Sequence, residues 1–529
     1  MGKLRFTALL LVLTLILGGC AFPEGAHGLY DVVAYPDMEY TRPDMTVLEE
    51  TLSEICAAAV TSQTASGLMD QVYGFYDLYD SVLTNWYLAE LRYSADLTDA
   101  YWESEYTFCN ESIPQLDAFL EQLYRALAAS PLRAQLESEY FGEGYFDAYE
   151  GESYWDAHYV SLLEEEARLE SEYYALSDEA LSAEPYSEEY FQTYGPPMAE
   201  LLVELVALRQ EIARYLGYES YAQYAYEGYF YRDYTPQEAE TYLCGISSAL
   251  YDCYTRVTAP GLWDDSYKYC SEEETFAYLK EAATNMGGTV KHAFDLLEKA
   301  QLFDISYGEN KYDASFTLYL WRYNEPFIFV NPCLDQMDKL VFAHEFGHFL
   351  NDYVCYGSYA GTDVAEVHSQ AFEYLSLCYT SDSEDLARFK MADSLCTFME
   401  CAAYALFEHR LYALAPEDLT VENVAALYEK TCLEFGFDSW NWDSRDFVTV
   451  VHFFTEPMYM VSYVVSNDLA LQIYQLEHKG ISKGLRLYEQ ILQSQDTYLL
   501  AFTETYGLES PFAEGRLEAL AETFSEALQ

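Results

Sequence analysis

The stretch His344-Glu345-Phe346-Gly347-His348 constrains this chain more than any other. Residues four apart sit one turn apart on the same face of an α-helix, so the two imidazoles point the same way and can share one metal ion. Two neutral histidines at this spacing are suited to zinc, and Glu345 between them falls near the water such an ion would carry. The preceding Leu340-Val341-Phe342-Ala343 is apolar, as a buried helix requires, and Gly347 leaves room for a close neighbour. Both histidines could instead lie incidentally on an amphipathic helix, but with nine histidines in 529 residues the pairing is rare by chance. Thr362 to Val367 then reads as the start of a second helix bearing a third ligand, which leaves one coordination position open. Spacing alone does not choose that ligand among Asp363, Glu366, His368 and Glu373. Glu373, two turns beyond Glu366, also suits a carboxylate that orients a ligand histidine from behind.

Charge narrows the partners. The chain has 89 acidic and 27 basic residues, a net charge of −62. Binding to DNA or RNA is excluded, because phosphate backbones require clustered lysine and arginine. Most of the excess is expected on a solvated surface, where it aids solubility. Apolar residues make up 51%, ample for a large core.

The first twenty residues look like a targeting segment. Lys3 and Arg5 precede an apolar run from Phe6 to Leu17, too short to span a bilayer comfortably. The run ends Leu17-Gly18-Gly19-Cys20, which resembles the lipobox of a bacterial lipoprotein, with Cys20 as the lipidated residue. Residues 1–20 are therefore expected to be a lipoprotein signal peptide and 21–45, with three prolines and little periodicity, a flexible tether. The remaining eleven cysteines lack the paired spacing of a structural zinc site, and no disulfide can be assigned among them.

From Thr46 onward the pattern is helical almost throughout. Leu201, Leu205, Leu208, Ile212 and Leu216 form one apolar stripe closed by Gly217. Thr235-Pro236-Gln237-Glu238 has capping-box spacing. Strand character is concentrated in Phe316–Trp321 and Pro326–Asn331, separated by a polar turn. Proline at its start suits the second of these to an edge strand beside a cleft, where an extended peptide could pair with it. On that expectation Phe327, Phe329 and Asn331 would contact substrate.

These residues resemble a known family, the thimet oligopeptidase and oligoendopeptidase F group of zinc peptidases. The likeness rests on His344–His348 with the later Val364-Ala365-Glu366-Val367, on Arg322–Asn331, on Leu208–Tyr218, and on His452-Phe453-Phe454 leading to Pro457-Met458-Tyr459 and Ser462-Tyr463. The resemblance implies a mainly α, two-lobed helical metallopeptidase with a deep central cleft and a small β-sheet beside the zinc site. It implies a single catalytic unit over 46–529, with an N-terminal helical lobe to about residue 300 and a zinc-site lobe after it. His344, His348 and Glu366 would hold one Zn2+, with Glu345 as general base and Glu373 behind a ligand. His452, Tyr459 and Tyr463 would stabilise the tetrahedral intermediate; the two tyrosines, four apart, share a helix face. Asn351 stands where the family often has a further histidine. The expected activity is hydrolysis of internal bonds in short peptides by a monomer anchored outside the cytoplasmic membrane, its acidic field favouring cationic or neutral peptides. The alternatives are a peptide-binding lipoprotein without catalysis, and a peptidyl-dipeptidase of a related helical family.

Overall fold

The computed structural model describes residues 32–528 apart from 151–156, 181, 182, 184–186, 258–267, 358, 359, 382, 440, 441 and 481. The expected signal segment and the first part of the expected tether lie outside the described residues. The chain is built of helices around one small sheet. Helices α1 (Met45–Thr61), α2 (Ala65–Ala95) and α3 (Ala100–Ala128) pack on one another. Their starts are fixed by Asp44, Thr64 and Asp99, whose side chains accept hydrogen bonds from first-turn N–H groups. One contiguous hydrophobic core extends from Met38 to Phe524. No helix among the described residues is long and apolar enough to cross a membrane.

Residues 35–44 correct the expected tether. Met38 is buried, the Tyr35 ring lies 4.3 Å from that of Phe327, and Arg42 pairs with Glu105 at 2.6 Å. Prolines and missing periodicity signalled irregular backbone here. Irregular backbone can still be fixed by aromatic and charged side chains.

Next come α4 (Ala157–Ala180), α5 (Gly195–Tyr215) and α6 (Pro236–Val257). The apolar stripe of α5 faces inward at Leu201, Leu205 and Ile212, and the chain leaves the helix through Gly217 at φ +89°. At the start of α6 the expected capping box is present, with Thr235 and Glu238 each accepting from the other's backbone N–H. Helices α7 (Glu272–Met286) and α8 (Gly288–Ala300) lead into the sheet.

The sheet has strands β1 (Phe303–Asp304), β2 (Ser315–Leu320) and β3 (Glu325–Val330) in the order β1-β3-β2. β3 therefore lies in the middle, parallel to β1 and antiparallel to β2, and is not the edge strand expected from Pro326. The N–H of Ile328 points to the β1 side, where it reaches Leu302, so the nitrogen of Pro326 faces that side too. β1 extends only alongside Ile328 and Phe329, so no partner is lost at the proline. The edge next to the motif helix is β2.

After the sheet come α9 (Asp338–Cys355), α10 (Thr362–Cys378), α11 (Ser383–Leu411), α12 (Val451–Thr455) and α13 (Met460–Lys479). α10 packs against α9 on one side and α13 on another. The crossing with α9 is close because residue 347 is glycine. A Cβ there would meet the Cα of Ser369 at 2.5 Å and the carbonyl oxygen of His368 at 2.7 Å, both backbone atoms. We predict that Gly347→Ala forces α9 and α10 apart and costs about 2 kcal/mol, read as a lower denaturation midpoint. Gly74→Ala, in α2, where an added Cβ meets nothing within 4 Å, should instead stabilise by about 0.5 kcal/mol through helix propensity. Equal midpoints for the two variants would refute the account of the α9–α10 crossing.

Candidate metal centre

Helix α9 carries His344 and His348 on one face, and the close crossing at Gly347 brings Glu366 of α10 over them. Nε2 of His344 is 3.3 Å from Nε2 of His348 and 3.4 Å from Oε2 of Glu366; the third side, His348 to Glu366, is 4.0 Å. Ligands about 2.1 Å from one zinc at tetrahedral angles lie about 3.4 Å apart, so the triangle fits such an ion with slight opening on one side. Two imidazoles and a carboxylate are also the donor set of many zinc sites that keep an open position. Among the described residues no other group of His, Cys, Asp and Glu converges in this way.

Burial lowers the proton affinity of His344, but the hydrogen bond it donates to Glu373 and the charges of Glu366 and Glu373 outweigh it and hold the imidazole up at about 9. His348 is pushed down to about 3 by burial and by the neighbouring His344 charge.

Each donor is held from behind. His344 Nδ1 lies 2.8 Å from Glu373 Oε1, the contact expected for a carboxylate orienting a ligand. Glu373 is in turn paired at 2.6 Å with Lys390, a buried lysine on α11 that also bonds Asp393. Oε2 of Glu366 accepts from Ser369, and its Oε1 accepts from the Tyr459 hydroxyl at 2.6 Å. Glu345 leans toward the sheet, where Thr317 of β2 donates to its Oε2 at 2.8 Å. Burial pushes the Glu345 carboxyl up to about 7, against the lowering effects of His344 and of the Thr317 bond.

The other candidates for the third ligand are engaged elsewhere. Asp363 accepts from Tyr234 and Ser462 and pairs with Arg232. His368 is fully buried with Nε2 on the carbonyl of Ile491. Asn351 bonds the carbonyl of Leu492 and is structural.

His452, Tyr459 and Tyr463 converge on the same place, with ring centroids 5.5, 6.0 and 5.0 Å apart. Burial pushes His452 down to about 4, against the raising effect of Glu366, so it is neutral at pH 7. Burial and then the charge of Glu366 raise both phenols well above their usual range, so both remain donors. The tyrosines differ, however: Tyr459 already holds Glu366, while the Tyr463 hydroxyl has no hydrogen-bond partner among the described residues. The side chains of His344, His348 and His452 keep 21%, 23% and 30% of their surface, although burial is the largest single influence on each imidazole. Groups on the floor of a recess meet both conditions.

Phe327, Phe329 and Asn331 are not part of this site. Both phenylalanines are buried in the middle strand, Phe329 stacked on Phe316 and under Lys311. Asn331 ties down the preceding loop through Gly308 and Lys311. Several residues that shape the site gave no spacing signal. Thr317, Lys390, Arg209 and Arg232 act across long separations, although a threonine or lysine amid apolar residues, as in Phe389-Lys390-Met391, is a trace that could have been followed. Arg209 donates to the carbonyls of Phe453 and Phe454, and Arg232 to that of Met458 and to the hydroxyl of Ser462.

Residues 35–153 match the family model described as the Peptidase M3 N-terminal domain. Comparison with curated proteins by sequence gives no match. Among solved structures, PZ peptidase A shares the fold at a TM-score of 0.78 with 18% identity, over 93% of this chain and 98% of that one. A structure assigned to oligoendopeptidase F from Bacillus anthracis str. Ames does so at 0.78 with 19% identity, over 94% and 98%. At such identities the structural likeness gives the fold alone, and the family match covers residues 35–153.

Proposed function

We propose that this chain is a zinc-dependent oligopeptidase cleaving internal bonds of short peptides. The observation that carries this is the convergence of His344, His348 and Glu366 within 4.0 Å, with Glu345 fixed beside them by Thr317. A zinc ion held by those three residues would polarise the scissile carbonyl and make a water acidic enough to lose its proton near neutral pH. Glu345 is placed to take a proton from the attacking water and return it to the leaving amine, and its elevated pKa suits it to both steps. His452 and Tyr463 offer neutral donors to the oxygen on which negative charge develops. Tyr459 holds Glu366 in the ligand position. The open edge of β2, whose Thr317 already touches Glu345, is the main chain that an extended peptide can pair with.

The decisive experiment is metal analysis combined with cleavage of an internally quenched peptide. Purified protein should hold one zinc per chain, lose turnover in chelator and regain it with zinc. Glu345→Gln should retain the metal and lose roughly a thousandfold in kcat. A variant with full turnover, or a native protein that binds no metal, would refute the proposal. For the phenols, Tyr463→Phe should lower kcat roughly a hundredfold with KM little changed. A rise in KM alone would make Tyr463 a simple contact.

We also propose that residues 46–529 act as one catalytic unit, and that Cys20 carries lipid and anchors it outside the cytoplasmic membrane. Support comes from the charged start, the apolar run and the Leu17–Cys20 sequence. Metabolic labelling with a fatty acid should mark the membrane-bound protein, and Cys20→Ser should abolish the label; a labelled variant would place the lipid elsewhere.

A further inference from the structure

One carboxylate in the recess has no task in this chemistry. Glu456 follows His452 by one turn, and its side chain is 22% exposed. The other carboxylates around the centre are bonded: Glu345 by Thr317, Glu366 by Tyr459, Glu373 by Lys390 and Asp363 by Arg232. Among the described residues no side chain donates a hydrogen bond to Glu456, and no lysine or arginine pairs with it. His452 Nε2 lies 4.0 Å from its Oε2, beyond hydrogen-bond distance. The His452 side chain makes no hydrogen bond to it, and burial, then the charge of Glu366, raises the Glu456 carboxyl to about 7. Glu456 is therefore poorly suited to holding the imidazole.

Its surroundings have a definite chemistry. Burial raises the phenols of Tyr174, Tyr229, Tyr459 and Tyr463, and Glu456 adds a smaller raising effect in each, so four phenols from three parts of the chain lie within its reach. A half-buried carboxylate among electron-rich rings lacks one thing, a cation. Ammonium groups bind such a setting through the charge-assisted hydrogen bond and through the ring faces together. No lysine or arginine among the described residues provides that cation.

We propose that Glu456 is a specificity-determining residue that selects peptides with an ammonium group close to the bond cleaved, from a lysine side chain or from the peptide's own amino terminus. The inference rests on the peptidase function proposed above. It differs from a general effect of the acidic surface, because a half-buried pair is screened much less by salt than the surface field.

The test compares matched quenched peptides, lysine against norleucine near the scissile bond and free against acetylated amino termini, at low and high salt. The native protein should prefer at least one cationic form by roughly tenfold in kcat/KM, and the preference should persist at high salt. The arm that shows it identifies the source of the ammonium. Glu456→Gln should bring the ratio close to one, and Glu456→Lys should reverse it in favour of a glutamate-bearing peptide; thermal melts would establish that both variants fold. Equal loss on every peptide would overturn the proposal by making Glu456 a support for His452, and so would a preference unchanged in Glu456→Gln. If the native protein hydrolyses no peptide, the function proposal fails by itself. The same peptide pairs titrated by calorimetry then decide the role of Glu456, since a cationic peptide bound equally by native protein and Glu456→Gln would overturn it.

Discussion

A helix with protein on every side must satisfy its polar side chains from its neighbours, and the site depends on how α10 does this. Asp363, Glu366, His368, Gln370, Glu373 and Ser376 are all buried on it, and each has a partner on a different element. Asp363 meets Arg232, Glu366 meets Tyr459, His368 meets the carbonyl of Ile491, Gln370 meets Ser466, Glu373 meets His344 and Ser376 meets Tyr278. Leaving a buried polar group without its partner costs about 1–3 kcal/mol, so a small rotation or shift of α10 would be opposed at several points together. Its register is therefore over-determined. Glu366 occupies the position facing His344 and His348 because five other contacts leave it no other, and Gly347 lets the helix come close enough for that to matter.

The opposite wall is held by a different device. Between His452 and Tyr463 the chain turns through Met458 at φ +70°, a conformation that costs a side-chain-bearing residue about 1–3 kcal/mol. Buried charged groups on three elements fix the turn. Arg209 takes the carbonyls of Phe453 and Phe454, Glu408 accepts from the N–H of Met458, and Arg232 takes its carbonyl. These contacts carry the N-terminal half of the chain into the site, since Arg209 lies on α5 and Arg232 just before α6. His452 and Tyr463 are positioned from that half, while His344 and His348 are carried by α9 in the other.

This division explains what could be read from the sequence. His344, Glu345 and His348 are legible because a helix converts a spacing of four into a shared face without help from the rest of the fold. The pair β2 and β3 is legible from alternation and the turn between them. Which of them is the edge is not, because that depends on β1, two residues long and too short to carry a pattern. Phe327, Phe329 and Asn331 followed from that one missing strand. Glu366 needed resemblance to a family, since Asp363, His368 and Glu373 lie on nearby turns and only the crossing angle of two helices separates them. Lys390 and Thr317 were illegible for the same reason: their partners are settled by tertiary contact alone.

The distribution of the scarce basic residues closes the account of charge. Only 27 stand against 89 acidic ones, yet three of them, Arg209, Arg232 and Lys390, are buried close to the centre. Each is used where a carbonyl or carboxylate has been removed from water, and the guanidinium forks of the two arginines each reach several acceptors at once. Among the described residues no lysine or arginine pairs with Glu366, Glu345 or Glu456, and the recess is short of positive charge. On the proposed function, a cation shared by His344, His348 and Glu366 would offset part of that deficit, and the remainder would fall to whatever enters beside Glu456.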